Sequence, residues 1–163
     1  MISIKIRKAT LNDVQEIHDL LSNSFIPYYQ YYTHKAYNET VVPPITIKER
    51  IKAQKTDVLV ASYRNKIVGT ASIEIQKDRR LYILSMAVKR EFHNRGIGGQ
   101  ILEEIDKIAL NEHSKIISLE CFEPLSKAVS LYKKVGYKLS GKTRNYHGIT
   151  IFEMIKDLTL ALE

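Results

Sequence analysis

The 163-residue chain has one cysteine, no tryptophan, four prolines and seven glycines. Each scarcity excludes something. Cys121 alone forms no internal disulfide, which fits a reducing cytoplasm. No run of about 18 apolar residues occurs, so no membrane span is expected. The first residues, MISIKIRKAT, alternate apolar and polar side chains and lack the apolar core of a signal peptide. The five histidines, His18, His34, His93, His113 and His147, have no metal-ligand spacing, and no metal is expected. No linker, repeat or low-complexity stretch divides the chain, so residues 1–163 are read as one domain. Acidic residues are in deficit: 18 against 25 lysines and arginines, a net charge of +7. The basic residues are scattered in short runs, and such a balance alone establishes no nucleic-acid binding; no nucleic acid is expected as a partner.

What is present has α/β periodicity. Residues 2–7 alternate Ile2, Ile4 and Ile6 as in a strand. Thr10 and Asp13 have capping-box spacing ahead of a helix carrying Val14, Ile17 and Leu21 to about Ser22. Thr46 and Glu49 repeat that spacing before a helix ending near Gln54. Between the two helices lies a linker, FIPYYQYYTHKAYNETVVPP, holding five of the ten tyrosines. Residues 57–63 and 66–76 read as a hairpin, and LYILSMAV (81–88) as a central strand buried on both faces. A helix with Ile101, Leu102, Ile105, Ile108 and Ala109 on one face follows. Then come a strand over 115–122, a helix with Pro124 in its first turn ending at Gly136, and two closing strands. The expected fold is a mixed, mostly antiparallel sheet of about seven strands flanked by four helices.

Three glycines fall within four residues in Arg95-Gly96-Ile97-Gly98-Gly99, between the central strand and the next helix. A strand, a glycine turn and a helix start together make an anion site, because free N–H groups and the helix dipole converge there. No Lys-Ser/Thr follows, which excludes a Walker loop. The third glycine of a dinucleotide fingerprint is absent, and that loop opens from a first strand rather than a late one.

With SMAV before it, His93-Asn94-Arg95-Gly96-Ile97-Gly98 resembles the [Gln/Arg]-x-x-Gly-x-[Gly/Ala] loop of the GNAT N-acetyltransferases, with His93 at the divergent first position. Ala128, Leu131-Tyr132 and Gly136-Tyr137 match the family's later signature, while Leu125 stands where an asparagine is common. The closest motifs are those of ribosomal-protein alanine and protein N-terminal acetyltransferases. The resemblance covers about residues 57–155. It implies acetyl-coenzyme A as cosubstrate. Asn94 to Gly99, with His93, would hold its pyrophosphate, and Met86, Ala87 and Val88 would pair with the pantetheine arm. An oxyanion donor would come from the backbone near Val88, where the family's strand splays.

The resemblance also assigns Tyr132 as the acid that protonates the departing thiolate. Glu120, on SLECF, is the candidate base: a carboxylate on a buried strand needs a purpose or a partner, and desolvation would tune it for proton transfer. The alternative for Glu120 is an inter-strand salt bridge, and Glu74 is a rival base. Cys121 reads as a small core residue. The acceptor site would lie under the tyrosine linker, at Tyr28 and Tyr31, and the last hairpin, at Tyr146. Acetyl transfer would go by direct attack of a primary amine, a peptide N-terminus or a small amine such as a polyamine. A non-catalytic acyl-coenzyme A sensor is the alternative. The protein would be a monomer or a homodimer.

Overall fold

The computed structural model describes residues 2–162. One seven-stranded sheet runs through them in the order β1-β2-β3-β4-β5-β7-β6. The strands are β1 (Lys5–Lys8), β2 (Thr56–Tyr63), β3 (Lys66–Ile75), β4 (Arg80–Val88), β5 (Ile116–Cys121), β6 (Lys138–Tyr146) and β7 (Ile149–Asp157). Only β4 and β5 pair in parallel, and the remaining neighbours are antiparallel. The helices are α1 (Val14–Phe25), α2 (His34–Thr40), α3 (Pro44–Lys52), α4 (Ile97–Asn111), α5 (Ser126–Lys134) and a last turn, α6 (Thr159–Leu162).

Among the described residues six helices stand where four were expected. The extra helix that matters is α2, inside the tyrosine linker. Thr33 caps it, its hydroxyl accepting from the Ala36 N–H at 3.2 Å. Ala36 is its one buried residue, so it carries no apolar stripe for periodicity to reveal. α3 begins at Pro44, a proline at the first helical position, with Thr46 inside it. The Thr46/Glu49 spacing is therefore not a cap. Pro124 likewise precedes α5, whose N-cap is Leu125. The capping box at Thr10 and Asp13 is present, and it opens a short 3-10 turn ahead of α1. The hairpin turn at Arg64-Asn65 also forms, with both residues at positive φ (50° and 62°) as a two-residue turn requires.

Two apolar layers sandwich the sheet. Ile101, Leu102, Ile105 and Ala109 of α4 pack with Tyr132 and Tyr137 against Leu59, Leu81, Ile83 and Ile117. On the other face Ile17, Leu20 and Leu21 of α1 and Ile47 of α3 pack on Val58, Val60, Ile67 and Ala87. Alternate residues of a strand face opposite layers. Thus Ala87 faces α1 and α3, while Met86 and Val88 face α4.

β4 is not buried on both faces along its length. It pairs with β5 only from Arg80 to Ile83, the last partners being Ile83 and Leu119. Its register with β3 shifts there, leaving Leu84 unpaired and 40% exposed. Beyond that bulge β4 stays on β3 through Val88 and parts from β5. The sheet opens into a wedge, and this wedge positions the site.

Candidate active site

A cleft of about 1010 Å³ fills the wedge. One wall is β4 from Ile83 to Val88, and the other is Leu119 to Phe122 with α5. At its far end lie the glycine loop and the start of α4, and over its mouth lie residues of the tyrosine linker and the last hairpin.

The glycine loop is the most telling part. Its N–H groups from Asn94 through Gly99, six in a row, find no backbone acceptor among the described residues; the first helical bond is Gln100 N–H to Gly96 O at 3.0 Å. Such orphan donors at the start of a fifteen-residue helix favour an anion. The three glycines serve three needs. Gly96 is the N-cap and adopts φ 80°, a left-handed conformation that side chains resist. Gly98 lets α4 approach α5, since a Cβ there would stand 2.7 Å from Leu131 Cδ2. Around Gly99 a Cβ would meet nothing within 4 Å, so that position opens on the cleft. The residues present therefore fit a pyrophosphate group. Past Ile83 the β5-side edge of β4 has no strand partner, although Val88 O is engaged by His93, and an extended amide-bearing chain can pair with the open part.

His93 does not reach toward the anion site. Its Nε2 lies 2.8 Å from Val88 O, to which it donates, and this bond fastens the loop to the end of β4. The divergence from Gln or Arg thus has a structural purpose of its own. Arg95 turns away as well, its guanidinium 5.2 Å from the Phe92 ring centroid, and it does not line the cleft. The splay point is Ile83, not Val88.

Tyr132 lies on the inner side of α5, 8% exposed and lining the cleft. Its ring packs edge-on against Tyr137 at 5.8 Å. Burial, with the neighbouring Cys121, raises its pKa well above the ordinary phenol value. The phenol stays protonated across the usual pH range and has a proton to donate. Cys121 is buried, and burial pushes its thiol up to about 11. It is a core residue with its Sγ–H toward Phe122 O.

Glu120 is not buried. Its side chain is 39% exposed, because β5 has parted from β4 at that position and the residue faces the cleft. The desolvation expected of it is missing. Arg144 of β6 grips both its oxygens, Nε to Oε2 at 2.6 Å and Nη2 to Oε1 at 2.7 Å. The inter-strand salt bridge is therefore present. Glu74 lies outside the cleft, beside Gln76.

Of the acceptor-side tyrosines, Tyr28 and Tyr146 line the cleft. Tyr31 is 50% exposed and does not. Tyr32 takes its place, its ring tilted against Phe122 at 4.6 Å and edge-on to Tyr37 at 5.8 Å. The linker and the last hairpin are stapled together over the mouth. Thr33 donates its hydroxyl proton to His147 O at 2.5 Å, and His147 Nε2 meets Glu39 Oε2 at 2.5 Å. Arg50 and Ser85 also line the cleft. No motif marked Arg50, and SMAV gave Ser85 no role of its own, since only the folded chain brings the two together, 35 residues apart.

The model of the acetyltransferase (GNAT) domain matches residues 25–158. An uncharacterized N-acetyltransferase of Chlorobaculum tepidum is 28% identical over 90 residues, 55% of each chain. The chain spans about half or less of the length of the curated relatives it matches, 55% and 41%. Among solved structures, the PaiA N-acetyltransferase of Thermoplasma acidophilum in complex with coenzyme A superposes with a TM-score of 0.82 at 21% identity, over 96% of this chain and 99% of that one. The ribosomal-protein alanine N-acetyltransferase of Escherichia coli gives 0.78 at 14% identity, over 96% and 95%. No group of three metal-ligating side chains occurs among the described residues. The match to the family model, over most of the chain and across the whole wedge, settles kinship: the chain belongs to the GNAT acetyltransferase family.

Proposed function

We propose that the protein transfers an acetyl group from acetyl-coenzyme A to a primary amine by direct attack. The observation that carries this is the run of six unpartnered N–H groups at the start of α4, continuous with an open β4 edge that leads to Tyr132. When bound, acetyl-coenzyme A supplies a thioester carbonyl and a thiol leaving group. Asn94 to Gly99 hold the pyrophosphate through their backbone. Met86 to Val88 align the pantetheine arm as an added strand; Val88 O is already taken by His93, so its neighbours provide that pairing. Tyr132, kept protonated by burial, gives its proton to the departing sulfur.

Glu120 faces the same cleft and takes the amine proton, directly or through one water. Arg144 occupies one lone pair on each oxygen, leaving another on each to accept. The same fork fixes the carboxylate's position. Tyr28 and Tyr146 flank the acceptor, which is a peptide α-amine or a small amine. The divergent His93 and Leu125 do not favour a non-catalytic sensor. His93 has a bond of its own, and Leu125 caps α5 at the cleft wall. The test is thiol release from acetyl-coenzyme A over a panel of amines, with Tyr132→Phe beside the native chain. Turnover that drops in the variant supports the assignment. Tight coenzyme A binding without turnover on any amine would remove it in favour of a sensor.

A further inference from the structure

The acceptor end of the cleft holds one charge that the fold does not balance. Arg50 lies in the last turn of α3, half-buried, and lines the cleft. Its Nη1 donates to Ser85 Oγ at 2.9 Å. Among the described residues no carboxylate stands within salt-bridge distance of it. The ion pairs of the cleft are made elsewhere, Arg144 with Glu120 and His147 with Glu39. Burial lowers its pKa from the ordinary value, with the charge of Glu74 acting in the other direction. A guanidinium has five N–H donors, and Ser85 uses one.

A cation taken from water without a partner is unfavourable. Helix-end stabilisation alone does not call for burial, because Lys52, in the same turn, meets that need from an exposed position. The cleft as a whole shares this bias: Arg50, Lys127, Lys134 and Arg144 face only Glu39 and Glu120. The place of Arg50 narrows its role. Ser85 and Ala87 face the α1 and α3 layer, whereas the glycine loop and α4 belong to the opposite one. Arg50 is thus on the acceptor's side of β4, not the pyrophosphate's. Ser85 is also the first residue past the Leu84 bulge, where β4 and β5 part.

We propose that Arg50 is a specificity-determining residue that binds a carboxylate carried by the acceptor, so that the substrate is an amine with a carboxylate a few bonds away. The fork of a guanidinium matches a carboxylate with two parallel hydrogen bonds. A single such fork is matched in shape and charge by one carboxylate. The carboxylate has two sources: that of a free amino acid, or an acidic side chain next to a peptide's N-terminus. A polyamine, all cation, does not suit this end of the cleft. The proposal rests on the acetyltransferase reading above.

The test measures kcat/KM in a thiol-release assay for matched acceptors. One arm uses free amino acids and their carboxamides. The other uses tripeptides with Asp or Glu at the second position and their Asn or Gln counterparts. The native chain is expected to prefer the carboxylate in one arm by about tenfold or more. Arg50→Gln is expected to erase that preference through KM, with the KM for acetyl-coenzyme A unchanged, and Arg50→Lys to restore part of it. Equal use of carboxylate and carboxamide in both arms, or a preference that survives Arg50→Gln, overturns the proposal and leaves acetyl transfer standing. A chain that binds coenzyme A in calorimetry yet acetylates no acceptor overturns both. Calorimetric titration of coenzyme A into each variant separates a lost contact from a lost fold.

Discussion

Gly99→Ala should make the protein slightly more stable and a worse binder of coenzyme A. Gly99 is the third residue of α4, and a Cβ built on it meets nothing within 4 Å. Nothing resists the methyl group sterically, and alanine narrows the unfolded chain's freedom. Glycine in a helix costs roughly 0.5–1 kcal/mol relative to alanine, so the gain is about 0.5 kcal/mol near a helix end. For a chain of this size, about 1–2 °C of added melting temperature follows. The same methyl group projects toward the cleft, where the phosphate must approach the N–H groups. A loss of about 1.4 kcal/mol there is a tenfold weaker Kd. Gly96→Ala is the contrast. At φ 80° a side chain is strained, at about 1–2 kcal/mol, so its melting temperature falls by a few degrees. Calorimetric scans and coenzyme A titrations of both variants check this. Gly99→Ala binding coenzyme A as the native chain does would refute the placement of the pyrophosphate. A lower melting temperature for Gly99→Ala would refute the open space around it.

Four further outcomes are expected. Tyr132→Phe should lower kcat by about 10²-fold while leaving the KM for acetyl-coenzyme A and the melting temperature nearly unchanged; an unchanged kcat removes Tyr132 as the acid. Glu120→Gln should lower kcat at neutral pH with little effect on stability, since an exposed ion pair contributes about 0–1 kcal/mol; unchanged turnover would leave Glu120 only its link to Arg144. Alkaline solution should destabilise the fold. Tyr32, Tyr132 and Tyr137 are raised above 10.0 by burial, and Cys121 from 9.0 to about 11. The folded state holds these protons more tightly than the unfolded chain, so their contribution is complete below pH 9 and lost as pH rises beyond it. A melting temperature that stays level from pH 9 to 11 would contradict that burial. At the acid end, Arg7 and Thr10 hold Asp13 below the usual carboxylate range, with contacts of 2.7 and 3.0 Å from Arg7 and 2.7 Å from the Thr10 N–H. Its contribution is present above about pH 4 and lost as pH falls through its lowered pKa, and Asp13→Asn should cost about 1 kcal/mol in denaturant titrations.

The parts of the fold that could be read from the residues are those where one local rule decides. Apolar spacing in α1 and α4 marks a face that must be buried, and the Arg64-Asn65 turn follows from chain chirality. The anion loop was readable for the same reason: clustered glycines before a helix have few other uses. The failures share another cause. α2 buries only Ala36, so no pattern betrays it. Tyr31 and Tyr32 are adjacent and chemically alike, and only the hydroxyl-capped entry into α2 decides which ring turns inward to Phe122. Glu120 reads as buried because its strand does; whether β4 still pairs beside it is set by a bulge at Leu84, in the preceding strand and beyond the reach of any local signal. Arg50 and Ser85 meet only through tertiary packing of α3 on β4. The loop architecture of the site is local information, and its acceptor chemistry is not.

The central claim is that the wedge between β4 and β5 catalyses acetyl transfer with Tyr132 as the proton donor. Thiol release from acetyl-coenzyme A, measured over amino acids, short peptides and polyamines with Tyr132→Phe in parallel, tests it most directly. The account predicts turnover on at least one acceptor class, cut about 10²-fold in the variant, with coenzyme A binding intact in both. Turnover equal in the two chains, or coenzyme A bound by both and thiol released by neither, would contradict it.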